Sequence, residues 1–256
     1  MGAPACIKRA RALLTTKGRC LSGRFLVEGL RAVLDALLRT DAVVEVILSE
    51  EGSPETADLI RRAVGARAIA IHLVRGDLMQ SVSAVTNSQG VLATVLRPQG
   101  VPAGAPLLPT GSGRGVVIDR VSDPGNLGTI LRSADALGCE SVIVTPGCVD
   151  PYNPKVVRSA VGSLLTRAPR SFDAELLVER ARVERVSLLL LDAGGGHSVG
   201  DYEPPERYLL VAGGEAHGAC EVLCDNADVR LHIPLHNRVE SLNVAIALSI
   251  ALFELS

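Results

Sequence analysis

The chain has very few aromatic residues. Its 256 residues include no Trp, three Tyr and three Phe, although 47% of the chain is hydrophobic. Ala, Val, Leu and Ile must therefore build the core, which is typical of a globular α/β protein with one large or two modest domains. Long apolar runs are absent too, since none reaches the roughly 18 residues of a membrane span. No apolar signal-peptide core follows Met1, so we expect no membrane partner.

The sequence also lacks a metal-binding pattern. It has six Cys and five His, with no C-x-x-C pair and no His at zinc-ligand spacing. We therefore predict no metal site. Reduced thiols are typical of a reducing compartment, so we also predict a cytoplasmic protein.

Acidic residues are absent from residues 1–27, although the net charge of the whole chain is −2. Six basic residues fall in this stretch, namely Lys8, Arg9, Arg11, Lys17, Arg19 and Arg24. Such a stretch is suited to RNA phosphates. An organelle transit peptide and a solvated helix face explain it equally well.

Composition and periodicity divide the chain into two α/β regions. Residues 1–96 alternate helix and strand patterns, and "RFLVEGLRAVLDALL" within them predicts one amphipathic helix. Residues 97–114 are rich in Pro and Gly, which predicts a linker. In residues 115–256, continuous apolar strands alternate with helices. This second region is therefore predicted to be a mostly parallel sheet covered on both faces.

Polar side chains follow three of the predicted strands in the second region. Asn126 and Arg132 come after "VVID", Glu215 comes after "YLLVAG", and Ser241 and Asn243 come after "LHIPL". Open α/β sheets bind ligands at the carboxyl ends of their strands. We therefore expect the three loops to form one site.

Each of these residues also has an ordinary structural explanation. Asn126, Ser241 and Asn243 have the side chains that cap helices, and Arg132 has an acid, Asp135, three positions further on. Glu215 could be a solvated loop acid. The shared edge of the sheet is what favours a joint function.

Three segments carry a family resemblance. In this order, "DRVSDPGNLGTILRSADALG", "LLVAGGEAHG" and "IPLHNRVESLNVAIALSIALFE" resemble the three motifs of the SpoU/TrmH family of RNA ribose 2′-O-methyltransferases. The resemblance implies a SPOUT domain over residues 115–256, with a deep trefoil knot and a homodimeric assembly. Residues 1–96 resemble the family's small substrate-binding domain, which implies that they bind RNA.

The resemblance also implies a methyl donor and roles for site residues. The donor is S-adenosylmethionine, whose sulfonium makes the methyl group electrophilic without a metal. Arg132 matches the family arginine at the target ribose. Because a guanidinium stays protonated, we interpret Arg132 as binding the adjoining phosphate or polarising the hydroxyl. The other polar matches are interpreted as orienting Arg132 and the nucleotide and as closing the cofactor loop: Asn126, Glu215, Ser241 and Asn243.

By the same resemblance, the cofactor pocket comprises Gly213, Gly214, Glu215, Gly218, Ile233, Leu235, Leu242, Asn243 and Ala245. Its glycines are expected to let the backbone approach a bulky ligand. Arg158 matches an arginine near the RNA-binding face. The chain departs from the family pattern at three places: Gly214 stands for Asn, Leu235, His236 and Asn237 stand for Met-x-Gly, and Ala160 stands for Ser.

Other functions remain open from the sequence. Ribosomal RNA is favoured over transfer RNA because the upstream domain resembles that of ribosomal RNA enzymes. A non-catalytic RNA-binding protein is a second alternative. An α/β-hydrolase that uses Ser198 in "GHSVG" is disfavoured, because the paired prolines that follow prevent the helix a nucleophile elbow needs.

Overall fold

The computed structural model describes residues 3–102, 104–109, 113–165, 167–215, 217–236 and 240–256. These residues form two compact units. Unit 1 comprises Met1–Gln99 and Asp150–Ala168, and unit 2 comprises Gly100–Val149 and Pro169–Ser256. A short segment from the second half of the chain therefore packs with the amino-terminal unit.

The helices and strands are numbered along the chain. The helices are α1 Ala5–Leu13, α2 Thr16–Ser22, α3 Leu30–Arg39, α4 Pro54–Val64, α5 Gly76–Gln80, α6 Pro124–Ala136, α7 Pro154–Ala160, α8 Ala174–Glu184, α9 Glu221–Asp225 and α10 Val244–Glu254. The strands are β1 Arg24–Glu28, β2 Val43–Ser49, β3 Ala70–Val74, β4 Val91–Leu96, β5 Gly113–Asp119, β6 Ser141–Val144, β7 Arg170–Ser171, β8 Ser187–Leu191, β9 His197–Ser198, β10 Arg207–Gly213 and β11 Val229–His232.

Three helices begin with the same short pattern, a small polar residue followed by proline. Ser53, Asp123 and Asn153 each accept a hydrogen bond from a backbone N–H of the first turn of α4, α6 and α7. The proline that follows lacks an N–H, and its fixed φ suits the first helical position. These helix starts are therefore determined locally.

Unit 1 contains a four-stranded sheet in the order β1-β4-β2-β3. Strand β4 is antiparallel to β1 and β2, and β2 is parallel to β3. The helix predicted over "RFLVEGLRAVLDALL" is wrong in its first third, because β1 occupies residues 24–28 and pairs with β4. Gly29, with φ of +97°, separates that strand from α3.

Unit 2 contains a seven-stranded sheet in the order β7-β6-β5-β10-β8-β11-β9, with every pairing parallel. Side chains of α8 and α9 pack with Val117 and Val211 of the sheet. The alternating residues Val116 and Leu210 are buried as well, and α10 contacts α6, β8 and β10. The predicted parallel α/β sheet is confirmed, and the trefoil knot stays a prediction.

Part of the predicted linker packs into unit 2. Leu107 and Leu108 are fully buried in its core. The backbone N–H of Leu107 donates to Glu184 at 2.6 Å, and the Arg170 guanidinium donates to the carbonyls of residues 105 and 106. This stretch of residues 97–114 is thus anchored, although its Pro and Gly content suggested a free connection. In the described ranges, no helix has the length and apolar character needed to cross a membrane.

Candidate active site

The structure brings three of the predicted polar residues together at the carboxyl edge of the unit 2 sheet. These are Asn126, Glu215, which lies 89 residues after it, and Asn243, which lies 117 residues after it. The Asn126 side-chain amide donates to Glu215 Oε1, and the Asn243 amide donates to Asn126 Oδ1 at 2.9 Å. The loops after β5, β10 and β11 therefore meet in one hydrogen-bonded chain.

Asn126 is free for this role because another residue caps its helix. Asp123 Oδ1 accepts from the Asn126 backbone N–H at 2.8 Å, and Pro124 occupies the first helical position. The capping explanation for Asn126 is therefore wrong. Its side chain spans the gap between Glu215 and Asn243 instead.

Asn243 has two roles at once. Its Oδ1 caps α10 by accepting from the backbone N–H groups of Ala245 at 3.0 Å and Ile246 at 3.3 Å. Its Nδ2 donates to Asn126. Because the carbonyl and the amino group serve different partners, capping and site formation do not compete.

The loop that carries Glu215 is closed by contacts among its own glycines. The Gly218 N–H donates to the Gly214 carbonyl at 2.9 Å. A Cβ on Gly213 would lie 1.9 Å from Ala219 N, and one on Gly214 would lie 2.5 Å from Arg120 O. The loop itself therefore requires these two glycines. Their role in binding the cofactor stays a prediction.

Asp119, at the end of β5, is a site residue that the sequence patterns did not predict. It is 2% exposed, and its carboxylate accepts from Thr145 Oγ1, from Cys220 N at 2.7 Å and from Arg120 Nε at 3.2 Å. Arg120 has φ of +54°, and its Nη2 donates to Gly218 O at 3.3 Å. Asp119 thus ties the β5 end to the loop after β10. The sequence feature that could have indicated it is an acidic residue at the end of an apolar strand, directly before a polar loop.

Arg132 and Ser241 lie outside this hydrogen-bonded chain. Both are exposed. Within the described part of the chain, neither makes a hydrogen bond or an ion pair, so the suggested pairing of Arg132 with Asp135 is not formed. The guanidinium of Arg132 is therefore open to an anionic ligand.

The predicted cofactor residues offer an apolar surface beside this chain. Ile233, Leu235 and Leu242 are half-buried, and Ala245 is buried at the start of α10. A Cβ on Gly218, which has φ of +63°, would meet no atom within 4 Å, so its backbone is open on that side. Partly covered aliphatic side chains beside accessible backbone fit the adenosyl group of S-adenosylmethionine. His236 is exposed, and Asn237, another departure from the family pattern, lies outside the described residues.

The basic residues predicted to bind RNA differ in availability. Arg19 is 1% exposed, and its guanidinium donates to Asp150 at 2.8 Å and to the Leu13 carbonyl at 2.9 Å. The prediction that Arg19 contacts RNA is therefore corrected: it is a buried structural residue. Arg9 donates to Glu45 at 3.1 Å. Lys8, Arg11, Lys17 and Arg158 are exposed, and Arg24 is half-buried.

Metal and disulfide chemistry find no support among the described residues. They contain no group of three or more His, Cys, Asp or Glu placed to hold a metal ion, and the six cysteines form no disulfide. Ser198 is followed by a single 3-10 turn over Val199–Asp201 rather than a helix, so the nucleophile elbow is absent there.

The fold and this loop cluster place the chain among α/β enzymes that bind a ligand at the carboxyl edge of a parallel sheet. Residues 114–253 match the model of the SpoU rRNA Methylase family, and residues 5–93 match the MRM3-like substrate binding domain. The first match covers more than half of the chain. The protein therefore belongs to the SpoU rRNA methylase family, as the three motifs indicated.

Similar proteins extend over nearly the whole chain. The 23S rRNA (guanosine(2553)-2'-O)-methyltransferase RlmP of Bacillus subtilis is 30% identical over 97% of this chain and 95% of its own length. The structure of AviRb from Streptomyces viridochromogenes with AdoMet aligns with a TM-score of 0.85 at 29% identity, covering 99% and 97% of the two chains. The AdoMet-bound rRNA methyltransferase of Sinorhizobium meliloti aligns with a TM-score of 0.83 at 28% identity, covering 98% and 94%.

Proposed function

We propose that this protein transfers the methyl group of S-adenosylmethionine to a ribose 2′-hydroxyl of ribosomal RNA. The observation that carries the proposal is the Glu215–Asn126–Asn243 hydrogen-bonded chain, which joins the three motifs of a SpoU family member at one edge of the sheet. Relatives of similar length are named 23S rRNA 2′-O-methyltransferases, which supports ribosomal RNA as the substrate.

The side chains of this protein position the reactants. When bound, S-adenosylmethionine supplies a methyl group activated by the adjacent sulfonium. The Asn126 amide oxygen accepts from Asn243, and one of its N–H groups donates to Glu215. These two bonds fix the amide, so its second N–H has a defined direction towards a substrate oxygen. The Arg132 guanidinium stabilises negative charge on the attacking hydroxyl or on its neighbouring phosphate. Ser241, two residues before the α10 cap, contributes a hydroxyl at the same loop.

The cofactor pocket in this proposal is formed by the loops after β10 and β11. Ile233, Leu235 and Leu242 enclose the adenine, while the loop from Gly213 to Gly218 supplies backbone groups for the polar part of the donor. Asp119 holds that loop in place through its bond from Cys220 N.

The assembly and the RNA-binding role of unit 1 also belong to the proposal. Helix α10 exposes Ile246, Ile250 and Phe253, which lie on one stripe at spacings of four and three residues. Such an unpartnered apolar stripe supports a homodimer through α10. Residues 1–96 bind the RNA, and the protein acts in the cytoplasm, as its reduced thiols suggest.

Arg132→Ala tests the reaction. We expect a loss of methyl transfer of about 10²–10³-fold, the range seen when one group that stabilises transition-state charge is removed. Affinity for S-adenosylmethionine should stay close to that of the wild type. Transfer of labelled methyl to 23S rRNA and calorimetric titration of the donor measure the two effects.

Arg185→Ala is the matched control for this test. Arg185 is an exposed arginine between α8 and β8, at the amino edge of the same sheet, and it should retain full activity. Near-normal turnover by Arg132→Ala would contradict the role of Arg132. Absence of donor binding and methyl transfer in the wild type would contradict the proposed function itself.

A further inference from the structure

Unit 1 contains a cleft in whose lining the family resemblance singles out only Arg158. It has a volume of about 450 Å³ and lies between the start of α3, the loop before β4 and helix α7. Its lining includes Arg31, Asp35, Asn87, Gln89, Val157 and Arg158. The volume falls within the roughly 300–1,000 Å³ typical of ligand sites.

Two guanidinium groups at this cleft have no hydrogen-bond or ion-pair partner within the described part of the chain. Arg31 and Arg158 are exposed, and neither forms a hydrogen bond or ion pair with any residue the structure describes. They come from α3 and α7, which are far apart in sequence. Free arginines that converge on one cleft are suited to phosphate, which a guanidinium can bind with two parallel hydrogen bonds.

The acidic residues at the cleft are already engaged. Glu28 accepts hydrogen bonds from Ser83 Oγ and from Ala84 N, the latter at 2.9 Å. Asp35 pairs with Arg39 at 2.9 Å. The remaining charge that a ligand meets at the cleft is therefore positive.

The floor and rim of the cleft suit a nucleobase. Val85, Val157 and Val161 supply aliphatic surface. Gln89 Oε1 accepts from Leu30 N at 3.0 Å, which leaves its amino group free to donate, and Asn87 is exposed beside it. Amide groups at the edge of an apolar surface read the hydrogen-bonding edges of unstacked bases.

The cleft continues along α3. A second depression of about 580 Å³ shares Arg31, Asp35 and Gln89 with the first and is lined by Leu30 and Leu34 of the same helix. The two depressions share these three residues and are here called together the α3 groove. Its aliphatic lining and its arginines suit the bases and phosphates of a single strand.

We propose that the α3 groove binds an unpaired segment of the RNA substrate, with phosphates at Arg31 and Arg158 and bases over the aliphatic floor. This rests on the proposed function, because it assumes an RNA substrate. It moves the main RNA contact of unit 1 away from residues 1–27. There, Arg19 is buried, Arg9 pairs with Glu45, and Arg11 donates to Ser81 at 2.9 Å.

The test compares two double variants of the full chain that remove the same charge. Arg31→Ala/Arg158→Ala removes two guanidiniums of the α3 groove, and Lys8→Ala/Lys17→Ala removes two exposed ammonium groups near the amino terminus. Fluorescence anisotropy measures binding of an unstructured RNA oligonucleotide of about 16 nucleotides. We expect a loss of affinity of about 10-fold or more for the groove variant, and a salt slope shallower by about 1.4, at 0.7 per single-strand phosphate. The amino-terminal variant should lose less than about 3-fold, since it removes only non-specific attraction.

Two further measurements separate the possible failures. Duplex RNA of the same sequence should lose less than about 3-fold in affinity for the groove variant, because only non-specific charge attraction is removed and the groove contacts unstacked bases. Equal losses in both double variants, or no loss in the groove variant, would overturn the proposal. Donor binding by calorimetry and methyl transfer by the wild type report on the proposed function separately. If both persist while the groove variant binds RNA normally, the α3 groove alone is wrong.

Discussion

Among the residues that the structure describes, each unit contains one deeply buried carboxylate, and the two have different surroundings. Glu45 of unit 1 is 3% exposed, and Asp119 of unit 2 is 2% exposed. Glu45 lies inside β2 and contacts the side chains of Arg9, His72 and Thr94. Asp119 lies at the last position of β5 and accepts from a backbone N–H of the loop after β10.

The difference shows how position along a strand decides what a buried acid does. Glu45 forms hydrogen bonds with side chains of α1, β3 and β4, so these bonds stabilise the sheet and its contact with α1. Asp119 stands where the strand becomes a loop, so its bonds place the loop that carries Glu215. We therefore expect loss of Asp119 to change function and loss of Glu45 to change stability.

Among the variants that test this comparison, Asp119→Ala is expected to have the largest effect. Without the carboxylate, Cys220 N and Thr145 Oγ1 lose their acceptor, and the loop after β10 should shift. A misplacement of about 1 Å at a site costs around 10²-fold in rate. We expect methyl transfer to fall by about that factor and the dissociation constant for S-adenosylmethionine to rise. Steady-state kinetics and calorimetry measure the two.

Thr145→Val is the control for this variant. It removes the hydrogen bond from Thr145 Oγ1 to Asp119 while the bond from Cys220 N remains. The affinity for S-adenosylmethionine should therefore change little. If Asp119→Ala instead kept normal donor affinity and turnover and only unfolded more readily, the distinction between the two carboxylates would be lost.

A smaller effect, confined to stability, is expected for Glu45→Gln. Burial raises the pKa of Glu45, but the hydrogen bond and charge of Arg9, with a further contribution from His72, lower it more, so the net pKa lies below its ordinary 4.5. A lowered pKa in the folded state means that ionised Glu45 stabilises the fold above the ordinary value. This stabilisation is lost as the pH falls through the folded value.

We therefore expect Glu45→Gln to unfold about 1–3 kcal/mol more easily at pH 7, the cost of losing a charged hydrogen-bond partner. The difference in unfolding free energy between this variant and the wild type should become smaller below pH 4.5. Urea unfolding at a series of pH values measures it, with Glu50→Gln, an exposed acid after β2, as the control. A difference in unfolding free energy that stays constant down to acid pH would contradict a stabilising role for ionised Glu45.

The smallest effect concerns thiol reactivity. Burial raises the pKa of the Cys148 and Cys220 thiols, both in unit 2, so little thiolate forms at neutral pH. Cys20 in unit 1 is exposed. Iodoacetamide should therefore modify Cys20 first, as followed by mass spectrometry.

In Asp119→Ala, the modification of Cys220 should accelerate, because its backbone loses its bond to Asp119. An unchanged rate would indicate that the loop does not depend on that carboxylate.

Much of the active-site edge was predictable because it depends on strand ends. Parallel strands direct their carboxyl ends to one edge, so Asn126, Glu215 and Asn243 were expected together, and they are. Their catalytic roles stay predictions. Arg19 was misassigned because a charge run carries no information about its partner, and Asp150 lies 131 residues away. The first third of the predicted α3 helix was misassigned because "FLV" fits a helical stripe as well as a strand.

The sequence by itself determined what depends on neighbours along the chain. Helix starts at Ser53, Asp123 and Asn153 follow from a capping side chain and a proline, and apolar strands alternating with helices required a covered parallel sheet. Only the tertiary structure decided which charges are buried, which are paired and which are free. Those outcomes depend on contacts between distant segments, such as Asp119 with Cys220 and Arg19 with Asp150, where burial and hydrogen bonding outweigh any local pattern.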